Sequence, residues 1–264
     1  MQIPFTKAHG AGNDFLLTWA AAAPDRDLSG TARMLCDRHT GVGADGWLLV
    51  WPAEPPDHDG RIHLYNSDGS EAEISGNGTR CAAAFLIREE PSRNEVRILT
   101  GAGLKHLRLL RRDGIHFEFE MNMGAPEVTA AHFDLPLTSG TREVTLLWVG
   151  NPQCAVPVED FDFDWRGMGA EIEEHPHFPN RTNVSFVRRL DRHTIDVRFY
   201  ERGAGETMSS GTGSTAAAAM AIARGWVESP VQVSTPAGPL AIRVEDDYFL
   251  TGPVEITADG WFYR

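Results

Sequence analysis

Lysine is nearly missing from this chain of 264 residues: it occurs only at Lys7 and Lys105. A pyridoxal phosphate enzyme needs a Schiff-base lysine. Lys105 falls inside a strand-like pattern and Lys7 precedes His9, so neither is a persuasive anchor for that cofactor. Cysteine is scarce as well. Cys36, Cys81 and Cys154 are widely spaced and odd in number, which excludes a disulfide framework, fits no zinc spacing and points to a reducing compartment. The apolar runs fall short of a membrane span, and Met1-Gln2-Ile3-Pro4 leads straight into fold-like sequence without a signal peptide or anchor pattern. Positive charge is in deficit, with 24 Lys+Arg against 37 Asp+Glu and a net charge of −13. No basic stripe exists for nucleic acid, and the short run 108–112 sits beside a strand-like segment. These absences predict a cytoplasmic, soluble protein with no nucleic-acid or membrane partner.

What the chain does have, it has twice. Ser75-Gly76-Asn77-Gly78-Thr79 running into Cys81-Ala82-Ala83-Ala84 returns 135 residues later as Ser210-Gly211-Thr212-Gly213-Ser214 running into Ala216-Ala217-Ala218-Ala219. The register holds without a gap: Tyr65 falls on Tyr200, Glu71 on Glu206, Ile87 on Ile222, Val96 on Val231 and Thr100 on Thr235. From 65 to 103 there are 13 identities in 39 positions, and their register includes Tyr, Glu, Val and Thr, so Ala and Gly bias does not explain it. A duplicated unit follows, with two domains of about 120–130 residues each. The boundaries are 1–121, with 253–264 crossing back to it, and 122–252.

Each copy reads as a small Gly-rich turn leading into an Ala-rich helix, 79–90 and 214–225. Serine is a good N-cap, and glycine allows close backbone approach. The first turn of a helix leaves N–H groups without partners at the positive end of the macrodipole, which makes it a ready anion site. One such turn alone is an N-capped helix and nothing more. Two at equivalent places predict a shared cleft with Ser75 on one side and Ser210 on the other, able to hold a small carboxylate.

Elsewhere the pattern predicts strands over 3–19 around a turn at 9–14, a helix over 28–38 starting near Ser29, a strand over 47–51, a loop over 52–59 and a strand over 61–66. Glu90-Pro91-Ser92 breaks the chain after the first Ala-rich helix. Strands follow over 95–100, 104–111 and 115–121, and the Gly-, Pro- and Thr-rich stretch 122–142 reads as a linker. Further strands are predicted over 143–149, 182–189, 193–200, 231–235, 240–245 and 247–251, with a helix over 165–174. Gly41-Val42-Gly43-Ala44-Asp45-Gly46 matches a dinucleotide fingerprint by letter, but a helix precedes it and a strand follows, the reverse of what that fingerprint needs. His175-Pro176-His177 beside Glu173 and Glu174 fits no metal-ligand spacing and reads as a stiff, solvated loop.

Polar residues gather at the turns near the two repeats: Asn13, Asn66, Asn151, Asn183, Glu201 and Arg202. Singly, each has an ordinary explanation, since Asn and Asp bond local backbone in turns and Glu201-Arg202 could be a surface pair. Asn66 and Glu201 are also 135 apart, so they occupy equivalent places in the repeat.

These residues resemble the diaminopimelate epimerase family of cofactor-independent amino-acid racemases and epimerases over nearly the whole length. The motifs that carry the resemblance are His9-Gly-Ala-Gly-Asn13-Asp-Phe15, Asp37-Arg-His-Thr-Gly-Val-Gly-Ala-Asp-Gly46, Asn66-Ser-Asp-Gly-Ser-Glu71, Gly76-Asn-Gly-Thr-Arg-Cys81, Gly150-Asn-Pro152 and Glu201-Arg-Gly-Ala-Gly-Glu-Thr207 with Gly211-Thr-Gly213. The resemblance implies an α/β (α+β) fold of two pseudo-symmetric domains, each a mixed or antiparallel sheet wrapped around a central helix. It also implies a small amino-acid substrate, no cofactor, no metal and a homodimer. Asn13, Asn66, Asn151, Asn183, Glu201 and Arg202 would hold the substrate's amino and carboxyl groups. The backbone around Gly76-Asn77 and Gly211-Thr212 would hold the carboxylate at the reacting carbon, and Ser75 and Ser210 would stand in the two acid/base positions.

The departures bear on the chemistry. The family carries cysteine where this chain has Ser75 and Ser210, and usually histidine where it has Gln153. A thiol titrates near about 8.5 and a helix N-terminus lowers it further, whereas a serine hydroxyl is several units less acidic and normally needs a partner base. No such base adjoins Ser75 or Ser210 in the sequence. Either the serines are engineered to trap a complex of an otherwise ordinary epimerase, against which Gln153 counts, or the chain is a natural branch with other bases, for which the symmetric Glu71 and Glu206 are candidates. Another isomerase or dehydratase of the same fold, or a non-catalytic amino-acid binder, remains as an alternative.

Overall fold

Alternating burial along the opening segment folds as the strand it predicts. β1 (Gln2–Gly10) turns through Ala11 and Gly12, both at positive φ (49° and 77°), into β2 (Asn13–Trp19). The computed structural model describes residues 2–54, 57–88, 90 and 92–263. The chain forms two units, Met1–Met121 with Gly252–Arg264, and Asn122–Thr251.

In the first unit, helix α1 (Leu28–Cys36) follows β2 and starts near Ser29 as expected; its N-cap is Asp27, whose side chain accepts from Gly30 N–H. β3 (Gly46–Glu54) pairs parallel with β2 and antiparallel with β4 (His58–Asn66). The predicted loop 52–59 is therefore largely strand; Pro55 and Pro56 within it lie outside the described residues, as does Pro91 of the predicted break. Then come β5 (Glu71–Ala72), helix α2 (Gly76–Ile87), β6 (Glu95–Thr100), β7 (Gly103–Asp113) and β8 (His116–Gly124).

The second unit continues with β9 (Glu127–Leu137) and β10 (Gly140–Trp148), which pair antiparallel. The predicted linker is thus a hairpin. Its Thr, Pro and Gly content masked a strand whose buried side is only Leu135 and Leu137, at the far end of β9. β11 (Pro152–Pro157), helix α3 (Trp165–Glu173), β12 (Asn183–Arg189), β13 (Thr194–Glu201), β14 (Gly205–Thr207), helix α4 (Gly211–Ala223), β15 (Val231–Thr235), β16 (Gly238–Val244) and β17 (Tyr248–Tyr263) complete the chain. The last part of β17 pairs antiparallel with β1, from Gln2 opposite Tyr263 to His9 opposite Glu255.

The duplication is visible in the registers. Tyr65 opposes Glu71 as Tyr200 opposes Glu206. Gly60 lies beside Ile98 as Ile195 lies beside Val233, and Val96 opposes Leu107 as Val231 opposes Ile242. Even the turns repeat, with Thr100 Oγ1 donating to Gly103 O and Thr235 Oγ1 to Gly238 O.

Each unit wraps its mixed sheet around one helix. α2 packs against β1, β2, β3, β4 and β6, and α4 against β9, β10, β11, β12, β13, β15 and β16. A helix enclosed in this way has no solvent face, so most of its side chains must be small and apolar. Ala82, Ala83 and Ala84 of α2 and Ala216, Ala217 and Ala218 of α4 are fully buried. Alanine also has the best helix propensity, so it supports the helix while leaving room for the sheet. Among the described residues no helix is long and apolar enough to cross a membrane.

Enlarging a buried alanine should therefore be costly. Ala217→Leu is expected to lower the unfolding free energy by about 1–3 kcal/mol through overpacking. Urea denaturation followed by tryptophan fluorescence measures this, and an unchanged midpoint would mean that α4 is not tightly enclosed.

Candidate active site: two serine-capped helices

The repeated glycines are not a turn before a helix; they are the helix's first turn. α2 begins at Gly76 and α4 at Gly211, with Ser75 (φ −124°, ψ 125°) and Ser210 (φ −135°, ψ 127°) as N-caps in almost the same conformation. Ser75 Oγ accepts from Gly78 N–H and Ser210 Oγ from Gly213 N–H, each at 3.1 Å. Glycine is required at 213: a Cβ there would stand 2.9 Å from both Phe199 Cδ1 and Ser210 Oγ.

Around Ser210 the structure supplies what the sequence did not reveal. Its hydroxyl donates to Glu201 Oε1 at 2.6 Å, and Thr207 Oγ1 donates to Glu201 Oε2 at 2.6 Å. The β13–β14 hairpin produces this contact. Phe199 opposes Thr207 across it, which puts Thr207 on a diagonal to Glu201. Ser210, three residues further on, comes back over the same carboxylate. The expectation of no partner base thus gives way to a Ser–Glu pair in the second unit. A hairpin reading of 201–207 was the signal that could have found it.

Ser75 has no such carboxylate among the described residues. Asn66, at the repeat position of Glu201, closes its own tight turn by donating from Nδ2 to Ser70 Oγ at 3.0 Å. The symmetric glutamates are occupied elsewhere. Glu206 holds a bidentate pair with Arg166 at 2.6 and 2.7 Å, and Glu71 lies 3.2 Å from His63 with its side chain mostly exposed. Among the described residues neither is bonded to Ser75 or Ser210.

The remaining predicted residues fall into two groups, one in each unit. In the first, Asn13 (4% exposed) and Asn77 (0%) are bonded to each other, Asn77 Nδ2 donating to Asn13 Oδ1 at 3.2 Å. Asn77 Nδ2 is thus engaged by Asn13, and Asn13 Nδ2 in turn donates to Asp45 Oδ2 at 2.7 Å. In the second, Gln153 Nε2 donates to Asn151 Oδ1 at 2.7 Å and to Thr212 Oγ1 at 3.2 Å, and Asn151 Nδ2 approaches Thr212 Oγ1 at 3.5 Å. Gln153 thereby ties the loop after β10 to the first turn of α4. Asn183 Nδ2 donates to Pro152 O and its Oδ1 accepts from Arg202 N–H, both at 3.1 Å, while Arg202 Nη1 donates to Asn180 O.

The cysteines take no part. Cys36, Cys81 and Cys154 are buried, and burial pushes the Cys36 and Cys81 thiols up to about 12 and raises that of Cys154 further. Such thiols are inert core groups. His175 Nε2 lies 2.9 Å from Pro136 O, and no three metal-binding side chains converge among the described residues.

Beside Asn13 lies an ionic cluster. Asp14 bonds Arg38 (2.7 Å) and Lys7 (3.0 Å), and Arg38 also bonds Asp45 at 2.8 Å. Burial pushes Asp14 upward, but hydrogen bonds from Arg38 and Lys7 outweigh it and hold the carboxyl below its usual value of 3.8. Asp45 moves the other way: burial raises it, and the neighbouring Asp14 charge adds to that.

With this geometry in view, the likenesses to known proteins are informative. The family model for diaminopimelate epimerase matches residues 5–129 and 145–257. A diaminopimelate epimerase of Halothermothrix orenii is 37% identical over 98% of each chain, and one of Ectopseudomonas mendocina is 38% identical over 98% of this chain and 99% of that one. Among solved structures, a hydroxyproline epimerase from Agrobacterium vitis, with trans-4-hydroxy-L-proline bound, superposes with a TM-score of 0.77 at 17% identity, covering 98% of this chain and 92% of that one. A predicted epimerase from Pseudomonas aeruginosa gives 0.76 at 16% identity over 98% of each chain. These structural likenesses, below 20% identity, speak to the fold alone.

The ionic cluster gives a pH test. A carboxyl depressed in the folded state contributes stability that is present above its unfolded value, near 3.8, and is lost as the pH falls through its lower folded value. Between pH 6 and pH 3, Asp14→Asn is therefore expected to lose less unfolding free energy than the wild type. Parallel losses in urea titrations would show that Asp14 contributes nothing to acid sensitivity.

Proposed function

The chain belongs to the diaminopimelate epimerase family, and from that premise we propose that it interconverts LL- and meso-diaminopimelate by cofactor-independent proton transfer at the α-carbon, with serine in both acid/base positions. The observation that carries this reading is the 2.6 Å bond from Ser210 Oγ to Glu201 Oε1. A lone serine hydroxyl is a poor base because its alkoxide is scarce at neutral pH. A carboxylate that receives the hydroxyl proton as Oγ takes another removes that obstacle.

Stereoinversion needs one group to remove the α-proton and another to return a proton to the opposite face. In one direction Ser210 Oγ takes the α-proton while its own proton passes to Glu201 Oε1. The C–H electron pair stays on the α-carbon and spreads into the substrate carboxylate. Ser75 Oγ then gives its proton to the α-carbon. The turnover ends with a neutral Glu201 acid and a Ser75 alkoxide, and the reverse reaction or exchange with solvent resets them. The N–H groups of Gly76 and Asn77, and of Gly211 and Thr212, belong to the first turns of their helices and have no intrahelical partners. They stabilise the charge that builds on the carboxylate. Asn13, Asn66, Asn151, Asn183 and Arg202 hold the substrate's remaining polar groups, and Glu201 doubles as the acceptor for Ser210.

The test is α-proton exchange in D₂O, followed by NMR, with LL- and meso-diaminopimelate. Exchange above the protein-free rate is expected with both. Binding without exchange would sink the enzymatic reading and leave an amino-acid binder. Glu201→Gln is expected to slow exchange by roughly 10²–10⁴-fold. The same change in a Ser210→Cys background should cost much less, because a thiol near about 8.5 needs less help to ionise. Equal losses in both backgrounds would remove Glu201 as the proton acceptor.

A further inference from the structure

Glu173 is the last residue of α3, and it is buried, at 2% exposed, beside the stretch His175-Pro176-His177 that reads as a solvated loop. Acidic side chains are almost never buried unless paired. The partner here is Arg181, whose Nη2 donates to Glu173 Oε2 at 2.6 Å and to Glu174 Oε1 at 3.2 Å. Burial still keeps the Glu173 carboxyl above its usual 4.5, against the opposite pull of Arg181 and of the Gly203 N–H. A charge is therefore costly at this place, and a buried ion pair is weak evidence for stability. Stability alone does not account for the pair.

The backbone gives a better reason. Arg181 sits at φ 60°, in the left-handed region that side chains other than asparagine and aspartate seldom enter. Asn180, a residue suited to that conformation, is one position away and does not adopt it. The turn is closed by Arg181 N–H donating to Phe178 O at 2.8 Å and by Thr182 N–H donating to Glu173 O at 3.2 Å. An outlier of this kind persists only where its surroundings hold it. Glu173 holds this one twice, with its side chain at residue 181 and its carbonyl at residue 182.

What the turn presents is Asn183, the first residue of β12. Asn183 lies beside Gln153 of β11, and its strand runs antiparallel to β13. Its amide spans the two neighbours, Nδ2 donating to Pro152 O and Oδ1 accepting from Arg202 N–H, both at 3.1 Å. Arg202 Nη1 reaches back to Asn180 O at 3.1 Å. The turn thus ties the start of β11, next to Asn151, to the end of β13, where Glu201 accepts from Ser210.

We propose that the Glu173–Arg181 pair is a positioning device for this half of the site: it holds residue 181 left-handed, so that Asn183 bridges Pro152 and Arg202 and keeps Glu201 in place for Ser210. Glu173 and Arg181 are positioning residues that act through Asn183 and Arg202. The consequence for diaminopimelate rests on the proposed function; the consequence for the turn does not.

The first variant is Glu173→Gln, which keeps the shape of the side chain and removes its charge. Arg181 retains Glu174 and is 41% exposed, so no buried cation is stranded. In ¹⁵N-labelled, ligand-free protein the Asn183 side-chain amide and the Arg202 backbone amide are expected to shift and broaden, with Gly238 in the β15–β16 turn unchanged. KM for LL-diaminopimelate should rise about tenfold, as when roughly a tenth of the molecules hold the competent turn, while kcat stays within about twofold because saturating substrate selects that turn. The double variant Glu173→Gln/Arg181→Gly removes the strain together with the pair, since glycine enters the left-handed region freely. It should recover the wild-type amide signals and most of the KM. Unaltered Asn183 and Arg202 signals in Glu173→Gln, or a double variant no better than the single one, overturn the inference. Lower melting with an unchanged KM and unchanged amides would leave only a stability role and overturn it as well. A wild type that neither exchanges nor binds diaminopimelate removes the functional reading, and the amide signals then decide the inference alone.

Discussion

One oxygen atom at the start of each central helix is asked to do two things. Ser75 Oγ and Ser210 Oγ each accept the N–H three residues on, which fixes the cap, and each keeps a hydroxyl proton for another use. A serine cap is worth about 1 kcal/mol to a helix, and sulfur accepts hydrogen bonds only weakly. Serine therefore holds the helix start better than the family's cysteine, while its hydroxyl is the poorer acid. The same trade runs through the surroundings. The helix must be small to fit inside its sheet, and at Gly213 a Cβ would stand 2.9 Å from both Phe199 Cδ1 and the capping Ser210 Oγ. Fold and site are constrained at the same atoms.

Those constraints explain which parts were legible in the sequence. A buried, Ala-rich helix after a Ser-Gly-x-Gly start is an unusual pattern, and its recurrence at a fixed offset exposed both the duplication and the two serines. The registers of β4 with β5 and of β13 with β14 then carry the same 135-residue spacing in three dimensions. The hairpin β9–β10 was not legible, because most of β9 faces solvent and so lacks the alternation that betrays a strand. The Ser210–Glu201 contact was hidden for another reason. Its partners are nine residues apart, and only the turn between β13 and β14 brings them together. Arg80 gave no hint of its burial, since arginine is among the residues least expected in a core.

The two units repeat the same backbone pattern but not the same charges, and the serine chemistry proposed above gives a reason for the difference. A pair of thiols close to their own pKa can exchange acid and base roles freely. Two serines cannot, because neither ionises appreciably at neutral pH. In the proposed mechanism one of them therefore needs a proton sink, and Glu201 lies 2.6 Å from Ser210 Oγ. The other should keep its proton until the carbanion calls for it, so a carboxylate beside Ser75 would serve no purpose. Asn66 stands at the repeat position of Glu201, and Arg80, five residues after Ser75, is a fully buried cation. On the mechanism proposed above, serine in place of cysteine turns two interchangeable groups into one prepared as a base, with Glu201 beside it, and one prepared as an acid.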